Sequence, residues 1–320
     1  MIKNSKIPFF IVNPISGGGL GKKLWSKISS KISGELQKKV GNFDFEETAR
    51  VGHARTLARK AAHAGYSMVV AFGGDGTIHE VVNGLYEAPP SSRPPLGILS
   101  AGTGGDFIKT LGLPPTLSQQ MDILAGNSTQ WIDLGHIEFI NFESKKESRV
   151  FVNIADAGLG GEVVRILHRS RQTFGRRLAY LASTIKAYSS WRPAKLHITT
   201  DRDTKNNFHS SKKWPEKPLC VIIANGQYFG GGMPISPTSS LDDGYFDLIV
   251  VRSMNPIFVP LALSLLYTKQ FLRLPHVYSD RVKSVTLEGE GRTSLDIDGE
   301  SIGSLPATFK ILPRTLEVKI

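Results

Sequence analysis

The stretch that most constrains the fold is Val69-Val70-Ala71-Phe72-Gly73-Gly74-Asp75-Gly76-Thr77, where an apolar run leads into glycines around one carboxylate. The apolar run predicts a buried strand, and the residues from Thr77 predict a helix. Glycine backbone N–H groups can approach phosphate oxygens closely, and a helix N-terminus adds partial positive charge. The loop therefore predicts a phosphate site, where Asp75 implies Mg²⁺ between carboxylate and phosphate. Taken alone, the segment also fits a glycine turn closed by an aspartate cap.

Two further loops have a similar design. Gly102, Thr103, Gly104 and Asp106 follow an apolar run and precede a helical pattern, and a third glycine loop, Asn13 to Gly19, follows the first strand. Such loops can converge on one polyphosphate at the carboxyl edge of a parallel sheet. The Walker A and dinucleotide patterns both fail in the third loop, so the sequence predicts a phosphate binder of another kind.

The pattern of elements changes near residue 133. Strand-like and helix-like segments alternate over residues 1–133, which predicts an α/β domain with a parallel sheet covered by helices. Residues 134–312 contain short β-branched and aromatic runs, which predict an antiparallel β-sandwich with attached helices. We expect residues 313–320 to form a final strand that returns to the first domain. Other segments are predicted as single elements: strands Val282–Leu287 and Ala307–Leu312, helices Leu20–Val40, Glu162–Tyr188 and Ile257–Phe271, and the exposed loop Asp201–Pro218.

The 320-residue chain carries 39 Lys+Arg against 28 Asp+Glu, a formal net charge of +11. This surplus suits nucleic acid, an anionic membrane surface or a phosphorylated ligand. Nucleic acid is disfavoured because no RNP motif, zinc knuckle or helix-turn-helix pattern accompanies the charge. The single cysteine, Cys220, excludes an internal disulfide and favours a reducing cytoplasm. No apolar run reaches 18 residues, so no membrane span is predicted.

Taken together, the motifs carry a resemblance. Asn13-Pro14 with Ser16-Gly17, the loop from Gly73 to Thr77, and Gly102-Thr103-Gly104 with Asp106 resemble the diacylglycerol kinase catalytic family. That family groups bacterial soluble lipid kinases with sphingosine and ceramide kinases. The second half is similar through Ala224-Asn225-Gly226, Gly230 to Gly232, Leu241 to Gly244 and Asp298-Gly299-Glu300. The resemblance implies an N-terminal domain of the NAD kinase and phosphofructokinase type and a β-sandwich domain for the lipid substrate.

The resemblance also implies roles for individual residues. Glu300 matches the proton acceptor, Asp298 lies beside it, and Asp75 and Asp106 would hold Mg²⁺. Asp243, with the backbone carbonyls of Ser240 and Tyr245, matches a structural divalent-metal site. The implied ATP contacts are Asn13, Ser16, Gly17, Thr48, Gly73, Gly74, Asp75, Gly76, Thr77, Gly102, Thr103 and Gly104.

Three of these motifs have a second interpretation. From spacing alone, Asp298-Gly299-Glu300 is a hairpin turn, and Leu241 to Gly244 fits a surface turn. Gly105 stands where the family usually has asparagine before the aspartate, and this departure puts turnover in question.

The function implied is an ATP- and Mg²⁺-dependent lipid kinase of phospholipid biosynthesis, which phosphorylates a hydroxyl of a diacylglycerol-like or other long-chain lipid. The alternatives are an NAD kinase-like phosphotransferase and a catalytically weak lipid- or nucleotide-binding relative. A basic amphipathic segment from Arg165 to Arg192 fits anionic lipid headgroups or a solvated face equally well. We expect a cytoplasmic protein that associates peripherally with the inner face of the membrane, and a homodimer stays open.

Overall fold

The computed structural model describes residues 7–26, 41–100, 105–169, 183–188, 191–192, 194–201, 214–255, 262, 264–268, 270–289 and 293–320. The chain divides into two compact units, Met1–Asp133 with Pro313–Ile320, and Leu134–Leu312. It passes from one unit to the other within strand β5 (Thr129–Asn141) and returns within strand β16 (Glu300–Lys319). None of the helices in these ranges is both long and apolar enough to cross a membrane.

The first unit is built on a parallel sheet. Strands β1 (Pro8–Val12), β2 (Asp44–Glu47), β3 (Met68–Gly73) and β4 (Leu96–Ser100) lie in the order β2-β1-β3-β4. The end of β16 pairs in parallel with β4 through Val318 and Leu96. β1 and β3 are buried along their whole length, as expected for apolar runs covered on both faces.

Helices cover this sheet. They are His53–Ala64, Asp75–Tyr86, Asp106–Thr110 and Leu117–Ala125, and residues 20–26 are also helical. His53–Ala64 buries Ala54, Leu57, Ala58 and Ala61, the spacing of one helix face. It ends at Gly65, whose φ of 76° closes the last turn in the left-handed region. The predicted α/β class of the first domain is confirmed.

The second unit is mainly antiparallel. Strands β13 (Val277–Val282), β12 (Phe246–Arg252), β9 (Pro218–Ala224), β7 (Ile154–Gly158), β15 (Ser294–Ile297) and β16 are neighbours in that order. Strand β14 (Ser284–Gly289) lies between β16 and β8 (Leu196–Thr200), while β5 forms a hairpin with β6 (Lys146–Phe151). Two short strands, β10 (Tyr228–Phe229) and β11 (Met233–Pro234), pair with each other, and helix Leu159–Arg169 follows β7. The predicted β-sandwich class is confirmed.

Several element boundaries differ from the sequence prediction. The single strand predicted over Val282–Leu287 is two strands, because the chain changes partners near Lys283: β13 pairs with β12, whereas β14 pairs with β16 and β8. The break is held by Asp201, whose Oδ1 accepts the N–H groups of Lys283 (2.9 Å) and Ser284 (3.2 Å). The strand predicted over Ala307–Leu312 is part of the 20-residue strand β16.

Some predicted segments lie partly outside the described residues. This applies to the later part of the helix predicted over Leu20–Val40, to most of the loop Asp201–Pro218, and to much of Glu162–Tyr188 and Ile257–Phe271. Of the described parts, residues 162–169 and 183–188 are helical, and the 3-10 turn Phe271–Arg273 starts where the last predicted helix ends. Gly102, Thr103 and Gly104 also lie outside the described residues.

Candidate active site

The predicted phosphate loops of the first unit start at the same edge of its sheet. Asn13 directly follows β1, and its backbone N–H donates to the Phe72 carbonyl on β3 (2.9 Å). The Asn13 side chain then reaches the next loop, where Nδ2 donates to Thr77 Oγ1 (2.9 Å). Thr48 follows β2, and its N–H donates to the Val12 carbonyl (2.8 Å). The parallel order of the strands therefore brings Asn13, Thr48 and Thr77 to one edge.

Glycines at this edge let backbone segments approach closely. A Cβ atom on Gly73 would lie 2.3 Å from Thr77 Oγ1, so no larger residue fits there while Thr77 keeps its place. Gly17 has φ 60° in the 3-10 turn Ser16–Gly19, where Ser16 Oγ donates to the Asn13 carbonyl (2.8 Å). Gly74 is the N-cap of helix Asp75–Tyr86, and Gly76 lies in its first turn. The loop thus ends in the N–H groups of a helix N-terminus, which favour an anion.

Asp75 links two of the loops. Its Oδ2 accepts the N–H of Asp106 (3.2 Å) and its Oδ1 accepts the N–H of Phe107 (3.4 Å). Asp106 starts the helix Asp106–Thr110 and is 4% exposed, with Lys109 Nζ 3.8 Å from its Oδ1. The structure therefore joins the loop of Asp75 to the loop of Asp106, through the Asp75 carboxylate and the backbone of Asp106 and Phe107.

The donor set at Asp75 and Asp106 fits Mg²⁺ in kind. Carboxylate oxygens are the ligands that this cation prefers, and it commonly takes only one or two of them, with waters and substrate phosphates completing its shell. Within the described residues there is no group of three or more His, Cys, Asp or Glu side chains that could hold a metal. A cation at this edge would accordingly be held by these two carboxylates and by oxygen atoms of water and of the substrate phosphates.

The glycine at position 105 makes a close contact with the helix that follows it. Its φ of −59° is accessible to any residue, so glycine is not required by the backbone. A Cβ atom there would lie 2.7 Å from Ile108 Cδ1, a side-chain end that would have to move to accommodate it. The missing asparagine therefore accompanies a close contact between the loop and its own helix.

Sequence reasoning missed two polar residues that hold these loops. Glu80 accepts the N–H groups of Gly52 (2.8 Å) and Ala54 (3.0 Å), which caps the N-terminus of helix His53–Ala64 from a neighbouring helix. Gln120 is 1% exposed and accepts the N–H of Ser100 (2.8 Å) at the end of β4. Both belong to helical segments, where a lone Glu or Gln gives no signal of such a contact.

In the second unit, Asp298 and Gly299 form the two-residue turn of the β15–β16 hairpin, in which Ile297 pairs with Glu300. Both turn residues have positive φ, 51° and 86°, as a type I′ turn requires. The interpretation of this motif from spacing alone, as a hairpin turn, is thus confirmed. It does not conflict with a catalytic role, because the turn presents Glu300 at the start of β16 in a half-buried position.

The Asp298 carboxylate anchors this turn. Its Oδ2 accepts the N–H of Val152 (3.0 Å), and its Oδ1 accepts those of Asn153 (2.9 Å) and Ile154 (3.2 Å). The Asp298 N–H in turn donates to the Ile154 carbonyl (2.8 Å). A carboxylate with three amide donors is suited to holding the hairpin in place, which leaves Glu300 as the better candidate for proton transfer.

Asp243 lies in an ion pair. Its Oδ2 pairs with Arg281 Nη2, and its Oδ1 accepts the N–H of Tyr245 (3.0 Å). The Arg281 guanidinium lies 4.8 Å from the centre of the Tyr245 ring. Ser240 Oγ donates to Asp242 Oδ1 (2.6 Å). The oxygen donors proposed for a divalent cation lie in one loop here, but a cation would have to share Asp243 with Arg281.

An apolar cavity of about 80 Å³ lies within the second unit. Its described lining is largely aliphatic and aromatic, and Asp156 is the one charged residue among those lining residues.

Asp156 on β7 lies directly opposite Asp296 on β15, and the two are 4% and 6% exposed. Directly opposed side chains on antiparallel strands are close neighbours. Burial raises the pKa of Asp156 to about 7, and burial followed by the Asp156 charge raises the pKa of Asp296 well above its usual range.

Comparison with known proteins identifies the family. The family model described as "Diacylglycerol kinase catalytic domain" matches residues 8–137, and the "YegS C-terminal NAD kinase beta sandwich-like domain" matches residues 153–320. The chain belongs to the diacylglycerol kinase catalytic-domain family. The relatives reported below are named diacylglycerol kinases, which supports a phosphotransferase.

Individual relatives of the family cover nearly the whole chain. A diacylglycerol kinase of Staphylococcus carnosus is 28% identical over 308 residues, 96% of this chain and 93% of that protein. One of Staphylococcus saprophyticus is 28% identical over 309 residues, with the same shares covered. A crystal structure of a diacylglycerol kinase from Bacillus anthracis has a TM-score of 0.69 at 21% identity, covering 98% of this chain and 96% of that one. A second Bacillus anthracis structure reaches a TM-score of 0.76 at 24% identity, with the same shares covered. These structural likenesses concern the fold.

Proposed function

We propose that this protein is a lipid kinase that transfers the γ-phosphate of ATP, with Mg²⁺, to a hydroxyl group of a diacylglycerol-like or other long-chain lipid. The observation that carries the proposal is the contact of the Asp75 carboxylate with the N–H groups of Asp106 and Phe107, which joins two of the loops predicted to bind phosphate. Phosphate transfer to an alcohol chiefly requires alignment of the reactants and neutralisation of charge.

The nucleotide would bind at the carboxyl edge of the first unit's sheet. Gly73 to Thr77 would offer backbone N–H groups to the phosphates, with Asn13 holding Thr77 in place (2.9 Å). Asp75 and Asp106 would hold Mg²⁺, largely through waters, because this cation loses its waters reluctantly. When bound, the cation would neutralise charge on the transferred phosphate. Ser16, Gly17, Thr48 and the loop with Gly102, Thr103 and Gly104 are proposed as further nucleotide contacts.

Glu300 would accept the proton of the lipid hydroxyl. Its position at the end of the turn is fixed by Asp298, whose carboxylate accepts three backbone N–H groups. General-base catalysis of this kind contributes roughly 10²–10⁴-fold to a rate. Asp298 would therefore be a positioning residue, and Glu300 the residue that touches the acceptor.

The lipid would meet the second unit. The apolar cavity lined by Leu159, Val163, Ile222 and Phe271 offers a site for part of a hydrocarbon chain. We also propose peripheral association with the inner face of the membrane. The net charge of +11 supports attraction to anionic headgroups. About half of the basic segment Arg165 to Arg192 lies outside the described residues.

Radioactive transfer tests the proposal. Purified protein with γ-labelled ATP, Mg²⁺ and separate lipid alcohols should yield a labelled lipid, and Asp75→Asn should remove both the label and calorimetric ATP binding. Phosphorylation of NAD instead would support the NAD kinase-like alternative, which the description of the second matched domain favours. ATP binding without transfer to any acceptor would support a binding protein, for which Gly105 is the motivating departure.

A divalent cation at Asp243, with the carbonyls of Ser240 and Tyr245, is a separate proposal that thermal unfolding can test. We expect Mg²⁺ to raise the Tm of the wild type by a few degrees over EDTA, since a ligand at 100 times its Kd stabilises by about 2.7 kcal/mol. Asp243→Asn should abolish the shift, and Arg281→Gln should enlarge it because the cation no longer shares the carboxylate. Equal Tm values in Mg²⁺ and EDTA for both the wild type and Arg281→Gln would contradict the site.

A further inference from the structure

A groove on the second unit combines exposed cations with amphipathic aromatic side chains. It has a volume of about 790 Å³, and three of its lining residues, Arg192, Lys217 and Arg252, are exposed cations. Trp214 and Tyr278 also line it, and both are half-buried against the apolar core of this unit. Glu216 is the one acidic residue of its described lining, so the groove carries a positive charge.

Two of the cations, Lys217 and Arg252, lie on backbone that the sheet holds in place. Arg252 lies at the end of β12, where its N–H donates to the His276 carbonyl (2.8 Å) and a bulge separates it from Val251. Lys217 directly precedes β9, and its carbonyl accepts Ser253 Oγ (3.3 Å). The neighbouring Glu216 carbonyl accepts the Leu196 N–H (2.9 Å). The spacing of Lys217 and Arg252 is therefore set by the sheet.

The charges of the groove are available to a ligand. In the part of the chain that the structure describes, Arg192, Lys217 and Arg252 take part in none of the ion pairs with acidic side chains. Some exposed cations elsewhere on this unit do have acidic partners, as Arg281 has Asp243 and Lys145 has Glu143. Three cations that share one groove without paired carboxylates match an anionic surface.

The aromatic residues point to the kind of anion. Trp and Tyr place an apolar body and a polar edge at the boundary between water and lipid, where both residues are enriched. Lys and Arg can extend their charged ends to headgroups while their stems lie along apolar surface. A soluble phosphate would use the cations but gain little from Trp214 and Tyr278.

We propose that this groove, lined by Arg192, Lys217 and Arg252 with Trp214 and Tyr278, docks the protein on a bilayer of anionic phospholipid. The inference rests on the proposed lipid kinase function, which requires the protein to reach its substrate at a membrane. It assigns the docking to residues at the ends of β9 and β12, in addition to the basic segment before Arg192.

Sedimentation with vesicles tests the assignment without ATP or an acceptor lipid, so a failed kinase assay has no bearing on the result. The wild type should bind vesicles of phosphatidylcholine mixed with phosphatidylglycerol, and binding should weaken with salt. The triple variant Arg192→Gln, Lys217→Gln, Arg252→Gln should bind about 100-fold more weakly, since each cation near the surface contributes about fivefold. Each single variant should bind the vesicles about fivefold more weakly. These single variants test the proposal even if the triple variant misfolds.

A matched variant removes the same charge elsewhere on the second unit. Lys145→Gln, Lys146→Gln, Lys310→Gln alters three exposed lysines on β6, β16 and their flanks and should bind nearly as the wild type does. An equal loss in this variant would overturn the proposal, because net charge alone would then explain binding. Unchanged binding of the Arg192, Lys217 and Arg252 variants would overturn it as well.

Fluorescence separates a bilayer from a soluble anion. Phosphatidylcholine with brominated chains, mixed into the anionic vesicles, should quench tryptophan emission, and Trp214→Phe should remove most of that quenching. Quenching that survives Trp214→Phe would place another part of the protein on the membrane. Displacement of the protein from vesicles by soluble glycerol phosphate would show a site for a free phosphate ester, and it would also contradict the proposal.

Discussion

Replacing Glu300 with Gln is expected to lower the rate of phosphate transfer to lipid by roughly 10²–10⁴-fold, the usual contribution of a general base. The amide keeps the size of the side chain but cannot accept the hydroxyl proton. Because Glu300 lies beyond the turn that Asp298 holds, the fold and ATP binding should be unchanged. Initial rates with γ-labelled ATP and a lipid acceptor, with calorimetric ATP binding as the second readout, measure both effects.

Two comparison variants make this result specific. Glu288→Gln removes a charge from an exposed position on β14 and should keep full activity. Asp298→Asn should lower both activity and stability, the latter by about 1–3 kcal/mol, because an amide cannot satisfy the three N–H donors of residues 152–154. If Glu300→Gln retains wild-type rates while it binds ATP normally, another group accepts the proton.

The second large effect concerns the buried carboxyl pair. Asp156→Asn is expected to stabilise the protein at pH 8 by roughly 2–4 kcal/mol, since a pKa displaced by one unit corresponds to about 1.36 kcal/mol. Burial raises the pKa of Asp156 to about 7 from the ordinary 3.8. Two opposed buried carboxyl groups cannot both ionise without cost, and Asp296 faces Asp156 across the β7–β15 pair.

The pH dependence follows from the direction of that shift. Between about pH 4 and pH 7 the folded protein holds a proton on Asp156 that the unfolded chain has released, so the wild type loses stability as the pH rises through this window. Asp156→Asn has no such proton. The increase in the free energy of unfolding that it causes should therefore be small at pH 4 and reach its full value above pH 7. Urea unfolding at a series of pH values measures the difference.

An exposed acidic residue provides the control for this measurement. Glu143→Gln changes a side chain that is 72% exposed, so the stability difference should not vary over the same pH window. If the free energies of unfolding of Asp156→Asn and the wild type differ by the same amount from pH 4 to pH 8, Asp156 is ionised throughout this range. The pair would then need a cation that neutralises it.

The sequence predicted the first unit of the protein better than the second. Apolar runs such as Phe9 to Val12 and Val69 to Phe72 are unambiguous buried strands, and parallel pairing places the loops that follow them at one edge. Asp75 and Asp106 were predicted together for that reason, and the structure joins their loops through a bond from the Asp106 N–H to the Asp75 carboxylate. The roles of Glu80 and Gln120 could not be predicted, because their contacts depend on how separate helices pack.

In the second unit, local pattern was a weaker guide. Strand β7, Ile154–Gly158, contains Asp156 and Gly158 where a strand prediction expects β-branched residues, and so the opposed pair with Asp296 had no signal in the sequence. The break at Lys283 depends on the contact with Asp201, 82 residues earlier. Likewise, Arg281 reaches Asp243 only because β12 and β13 are neighbours.

One competition experiment tests the central claim most directly. The protein is incubated with γ-labelled ATP and Mg²⁺ in a single mixture that contains both dispersed diacylglycerol and NAD, and the products are separated by organic extraction. We expect label in the organic phase, little in NAD phosphate, and none in either product for Asp75→Asn. Label confined to the aqueous dinucleotide, or ATP consumed without either product, would contradict a lipid kinase.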